Sequence, residues 1–163
     1  MLPGLLPLPR LTDDPGQWPA LILYASTIFL EAEGEPQLGQ IAVAFVIRNR
    51  MDEQKTTARF VILGKDGLVD GDGKSFEAFS CWNDDYAGAR ARRLMAPSPA
   101  NWESCWRAAS IAYWRLDDDP THGSTFYLNP ELTIRDRADH KLPSWYDPRR
   151  VKLRVGRHEF LIA

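Results

Sequence analysis

Residues 14–50 read DPGQWPALILYASTIFLEAEGEPQLGQIAVAFVIRNR, and the pattern of this stretch sets the fold. Asp14-Pro15 reads as a helix N-cap followed by proline at the first helical position. From there Trp18, Leu21, Ile22, Tyr24, Ala25, Ile28 and Phe29 recur at helical spacings of three and four. The helix is expected to end near Gly34, because Pro36 cannot continue it. Pro36 then begins a second helix, with Leu38, Ile41, Phe45 and Val46 as its buried stripe and Arg48, Arg50 and Asp52 as its wet end. Three carboxylates, Glu31, Glu33 and Glu35, fall in the turn between the two helices.

Outward from this pair the elements are shorter. Residues 57–63 suggest a third short helix, and Gly64 to Lys74, rich in Gly and Asp, reads as a loop or hairpin. Trp102 to Leu116 is a further helix with Trp102, Trp106, Ala109 and Tyr113 on one stripe, ended by Asp117 to Asp119 and Pro120. Val151, Leu153 and Val155 alternate with Lys152 and Arg154, then Gly156-Arg157 leads into His158 to Ile162, which signals a β-hairpin. The class is α+β: one mainly helical domain with a small C-terminal β-hairpin, preceded by an irregular arm over residues 1–12. A length of 163 residues suits one domain, here taken as residues 13–163. With 44% hydrophobic and 26% charged residues, the chain is neither disordered nor collagen-like.

The net charge is −2. Residues 1–87 hold 7 basic and 13 acidic side chains, and residues 88–163 hold 13 and 9. Neither half has the basic excess of a dedicated nucleic-acid binder. Cys81 and Cys105 fit no CxxC pattern; they are buried thiols or a pair formed in an oxidising space. The proline-broken N-terminus does not read as a signal peptide. The apolar run Leu21 to Leu30 is about half the ~20 residues a bilayer crossing needs. A soluble monomer made in the cytoplasm, without stable membrane insertion, is expected.

An acidic cluster is ordinarily a solvated helix end. Two features set Glu31 apart. A carboxylate at a helix C-terminus meets the negative end of the macrodipole, and Glu31 follows the apolar Ile28, Phe29 and Leu30. Both favour the protonated form, which is what a general acid requires. Three later loops, Phe79 to Asn83, Thr121 to Pro130 and Pro143 to Tyr146, set aromatic rings beside hydroxyls and amides. Such surfaces suit sugars, although tryptophans are mostly core residues. Trp106 is assigned to the core, while Trp82 and Trp145 fit either role.

These motifs in order resemble the cell wall hydrolases of the spore-cortex-lytic type. The resemblance runs from Glu31-Ala-x-Gly-Glu-Pro through Gly39-Gln40-x-Ala42-Val43-Ala44-x-Val46-x-x-Asn49-Arg50 and Phe79-Ser80-Cys81-Trp82. It continues with Gly123-Ser-Thr-Phe-Tyr-Leu-Asn129-Pro130, Pro143-Ser-Trp145 and Gly156-Arg-His158-x-Phe160. It implies a lysozyme-like fold and cleavage of the MurNAc–GlcNAc β-1,4 bond of peptidoglycan. It also implies Glu31 as the catalytic acid, with Ser80, Trp82, Thr125, Tyr127 and Asn129 as substrate-binding groove residues; Glu35, four residues beyond Glu31, is counted as a further substrate-binding candidate. Glu33 stands where the family usually has arginine, Phe126 where histidine is common, and Leu128 where an aromatic is common.

Glycosidases commonly use two carboxylates, about 5–5.5 Å apart for retention or 6.5–9.5 Å for inversion. A lytic transglycosylase needs only one, because the C6 hydroxyl of the muramic sugar attacks internally. Transglycosylation is therefore expected over hydrolysis by a muramidase, with no metal and no cofactor. A zinc-dependent peptidoglycan amidase is the first rival, but His122, His140 and His158 form no HxxxH or HExxH arrangement. A calcium loop at Asp66 to Gly73 would lack both key carboxylates. A non-catalytic glycan-binding module is the third. The partner is the peptidoglycan glycan strand. A phage endolysin, held in the host cytoplasm until a holin releases it to the wall, fits an enzyme made without an export signal.

Overall fold

The computed structural model describes residues 15–64, 79–83, 87–95 and 97–163. The expected arm, the Asp14 cap, the Lys65 to Lys74 part of the expected loop and the rejected calcium loop all lie outside them.

The chain is a mainly helical α+β fold. A 3-10 turn at Pro15–Gln17 comes first, and α1 starts only at Ala20, running Ala20–Ala32 with Pro19 at its N-cap. The periodic pattern extends back to Trp18, but Pro19 lacks the N–H that a continuous helix would need there. Nine of the thirteen α1 residues are buried, so this is a central helix. α2 spans Gln37–Gln54 and α5 spans Pro99–Trp114, and these three helices pack against one another. The Tyr24 hydroxyl donates to the Ala44 carbonyl, tying α1 to α2 inside the core.

Burial on α2 is broader than the expected stripe. Gly39, Gln40 and every residue from Ala42 to Ile47 are buried, whereas Leu38 is 46% exposed. The helix is covered by α1 and α5 as well as by a short helix at Ala58–Leu63, so more than one of its faces is core. α3 (Ala58–Leu63) begins where Thr57 accepts a hydrogen bond from the Phe60 N–H, a side-chain N-cap. α5 ends at Arg115 in the left-handed conformation, two residues before the acidic run expected to stop it.

Two helices and a strand were not legible in the sequence. These are α4 (Ala87–Met95), β1 (Phe126–Leu128) and α6 (Pro130–Asp136), the last capped by the Asn129 side chain. The expected hairpin is present as β2 (Val151–Val155) and β3 (His158–Leu161). β1 adds to its other side, giving an antiparallel sheet of order β1-β3-β2 with Tyr127 opposite Phe160.

Glu35 fastens the hairpin to the helices. Its side chain is 1% exposed and accepts from the Arg157 backbone N–H (2.9 Å) and the Arg157 Nε–H (2.7 Å). Gly156 makes this possible. It has φ +57°, and a Cβ there would lie 1.8 Å from Glu35 Oε2. Only glycine fits both the turn and the approach.

Candidate active site

Glu31 occupies the last turn of α1 and opens into a cleft of about 660 Å³. Phe79, Ser80 and Cys81, the second helix's Arg50, Tyr127 of β1 and His158 of β3 surround it. Ala89, Arg90 and Arg93 of α4 form one wall, and Asn129, Leu132, Thr133 and Asp136 form the other.

Two donors hold the half-buried Glu31 carboxylate. The Tyr127 hydroxyl donates to Oε2 at 2.9 Å, and the Cys81 backbone N–H reaches Oε1 at 3.4 Å. Burial, reinforced by the Glu31 charge, pushes the Tyr127 phenol well above its ordinary range. It therefore stays protonated and remains a donor at any physiological pH. Its ring is fixed by stacking on Phe160 (centroids 5.8 Å) and by the edge of His158 (5.4 Å). The 3-10 turn Ser80–Trp82 supplies the second donor. Burial first, then the Glu31 charge, also raises the Cys81 thiol well above its usual value. Both cysteines are free, so the pairing left open in the sequence is absent.

The end of α1 is not the exposed acidic patch that a local reading suggests. Arg93 donates to the carbonyls of Leu30 (2.7 Å) and Phe29 (3.1 Å), and to Glu33 Oε1 (2.9 Å). One guanidinium thus caps the helix and balances Glu33, offsetting the macrodipole beside Glu31. Arg90 acts similarly on the neighbouring turn, donating to the Cys81 carbonyl at 2.8 Å.

Arg50 belongs to the cleft and not to a wet helix end. Its guanidinium lies over Phe79 (5.1 Å) and Phe126 (5.8 Å), and its Nε–H donates to the Thr125 carbonyl at 2.7 Å. Burial lowers its pKa, while the nearby Tyr127, Glu53 and Glu31 work in the opposite direction. His158 is depressed by burial against the opposing charges of Glu35 and Glu31, so it is held towards the neutral form.

Of the residues singled out in the sequence, Glu31, Ser80, Tyr127 and Asn129 meet at this cleft. Trp82 lies elsewhere. It is 3% exposed, donates its indole N–H to Thr27 Oγ1 at 3.0 Å and packs edge-on against Trp18. Thr125 is buried behind Arg50, and the Glu35 carboxylate is taken up by the hairpin turn. Trp106 packs against the core, while Trp145 stays 42% exposed and rests on Phe126.

Arg50, Arg90, Arg93 and His158 were not read as site residues. For Arg50 a signal existed, since position 50 follows Val46 by one helical step of four on the apolar stripe. The others depend on contacts between distant segments. Among the described residues no three His, Cys, Asp or Glu side chains cluster as metal ligands would.

Fold and cleft together define a mainly helical α+β protein with an acid set at the foot of a groove. The chain belongs to the cell wall hydrolase family, whose model matches residues 34–161. It is a peptidoglycan-degrading enzyme in that sense. Glu31 lies just ahead of the matched segment, so its place in the site rests on the geometry. No curated protein and no solved structure matches the chain.

Proposed function

We propose that the chain cleaves the MurNAc–GlcNAc β-1,4 bond with Glu31 as the sole acid and base, by lytic transglycosylation. The observation that carries this reading is the Glu31 carboxylate held in the cleft by Tyr127 and Cys81, with no second carboxylate beside it among the described residues. Glu35 is spent on Arg157. Asp136, the other carboxylate among the described lining residues, is exposed and paired with Arg135 at 2.7 Å.

Glu31 gives its proton to the bridging oxygen as the bond from the muramic C1 breaks. The C6 hydroxyl of the same sugar closes on C1, and its proton passes to the Glu31 carboxylate. The products are a free GlcNAc 4-hydroxyl and a 1,6-anhydro muramic end, and the enzyme regains its starting proton. Between the two transfers the carboxylate keeps its hydrogen bonds to Tyr127 and Cys81, so little reorganisation is needed.

Glu31→Gln is expected to abolish wall solubilisation while leaving the thermal transition in place. Mass spectrometry of the released fragments separates the two chemistries. Anhydro ends support transglycosylation, and reducing ends replace it with hydrolysis by a muramidase. The biological setting we propose is host lysis by a phage endolysin. Lysis of expressing cells only when a holin is co-expressed supports it, and lysis without one counts against it.

A further inference from the structure

Arg50 has more hydrogen-bonding capacity than the protein uses. Its Nε–H is pinned to the Thr125 carbonyl, and its guanidinium lies over the rings of Phe79 and Phe126. It makes no ion pair within 4.0 Å and no other hydrogen bond among the described residues. The guanidinium nevertheless lines the same cleft as Glu31. A cation held this far out of water without a carboxylate at contact is costly unless something else neutralises it. The contrast with Arg93 is direct, since that fork is fully engaged with two carbonyls and Glu33.

Its geometry indicates what would fit. With Nε engaged, the two terminal nitrogens are the edge without a partner, the edge that takes a carboxylate in bidentate fashion. The hydrogen bond and the two ring contacts restrict the rotamer freedom that an exposed arginine would lose on binding. Peptidoglycan offers carboxylates near the scissile bond. The muramic lactyl group ends in one when it carries no peptide, and the stem peptide carries others when it does.

We propose that Arg50 is the specificity residue that binds a substrate carboxylate next to the bond cleaved at Glu31. This deepens the glycosidase reading and rests on it for the position of the bond. Four substrates test it: intact wall, wall stripped of stem peptides so that only lactyl carboxylates remain, and each of these with its carboxylates converted to amides. Wild-type kcat/KM is expected to fall about tenfold or more when the wall that holds the bound carboxylate is amidated, the loss expected for a charged hydrogen-bonded pair. Arg50→Gln should show that loss on the same wall before amidation and be indifferent to amidation, with Arg50→Lys recovering part of it.

Loss on amidating intact wall assigns the stem peptide, and loss only on amidating stripped wall assigns the lactyl carboxylate. Wild-type rates unchanged within twofold by amidation of both walls overturn the proposal, and this arm needs no variant to fold. Equal losses by Arg50→Gln on amidated and unamidated wall overturn it as well. Calorimetric binding of soluble muropeptides to Glu31→Gln reads the carboxylate contact with no bond broken. A failure of the glycosidase reading is thereby seen separately, in the fragment masses.

Discussion

Removing a single oxygen from Tyr127 isolates what holds the acid in place. Tyr127→Phe keeps the ring stacked on Phe160 and the contact with His158, and deletes only the 2.9 Å hydrogen bond to Glu31 Oε2. A hydrogen bond to a charged group contributes about 1.5–3 kcal/mol. Applied to the transition state, that range corresponds to a loss of roughly 10- to 150-fold in kcat/KM. The ground-state cost is smaller, because Glu31 is half-buried and water can reach the vacated oxygen. About 1 kcal/mol is expected there, a fall in Tm of roughly 2–4 °C for a chain of this size.

The assay is the initial rate of soluble fragment release from purified wall across a range of substrate concentrations, with thermal unfolding as the control. Muropeptide binding to Glu31→Gln and to the double variant Glu31→Gln/Tyr127→Phe is the second control. If Tyr127 acts through Glu31, the second substitution leaves that binding unchanged. A single variant whose rate is within twofold of wild type, or a double variant that binds muropeptides more weakly than Glu31→Gln, refutes the assigned role.

Four further outcomes follow from the structure. Gly156→Ala should lose about 1–3 kcal/mol in denaturant unfolding, because its Cβ falls 1.8 Å from Glu35 Oε2 and pushes a buried carboxylate off its donors. Gly123→Ala, at φ +85° with nothing within 4 Å, should cost only about 1–2 kcal/mol of backbone strain. Stability should fall in two stages on acidification. Burial lowers the His158 pKa, so the unfolded chain takes up that proton first and stability starts to drop below about pH 6.5. Burial works against the Glu35 carboxylate too, yet Arg157 holds its pKa below the ordinary value, so a second loss begins below about pH 4.5; Glu35→Gln should flatten that stage of the titration of ΔG. Finally, burial pushes Cys105 up to about 12 and raises Cys81 as well, so neither thiol should react with an alkylating reagent at pH 7.5 until the chain is denatured.

What the sequence discloses depends on how local its physical cause is. The helices α1, α2, α3 and α5 are legible because apolar residues recur along one segment, and the C-terminal hairpin because Val151, Leu153 and Val155 alternate before Gly156. α4 was missed because its nine residues, AGARARRLM, offer only Leu94 and Met95 as large apolar side chains, and two arginines hold it to α1 and to the 3-10 turn. β1 was missed because three residues carry no period, and its strand character comes from pairing with β3 across more than thirty positions. Glu31 could be singled out from its neighbours in the chain. Its hydrogen-bond partners could not be derived from spacing, because Cys81 and Tyr127 lie 50 and 96 residues away.

The electrostatics of the acid show the same division. Read locally, Glu31, Glu33 and Glu35 are three negative charges crowded at the negative end of a helix, an arrangement that should destabilise the turn. In the folded chain each is handled by a different distant segment. Arg93 takes Glu33 together with the carbonyls of Phe29 and Leu30, and Arg157 takes Glu35. Among the described residues Glu31 alone of the three has no ion-pair partner at contact and is held by neutral donors from Tyr127 and Cys81. The mechanism proposed above needs a group that both releases and recovers a proton, and a guanidinium at contact would favour the anion. The neutralisation of its two neighbours therefore serves that proposal, since Arg93 and Arg157 engage the other two carboxylates of the turn and leave Glu31 to the cleft.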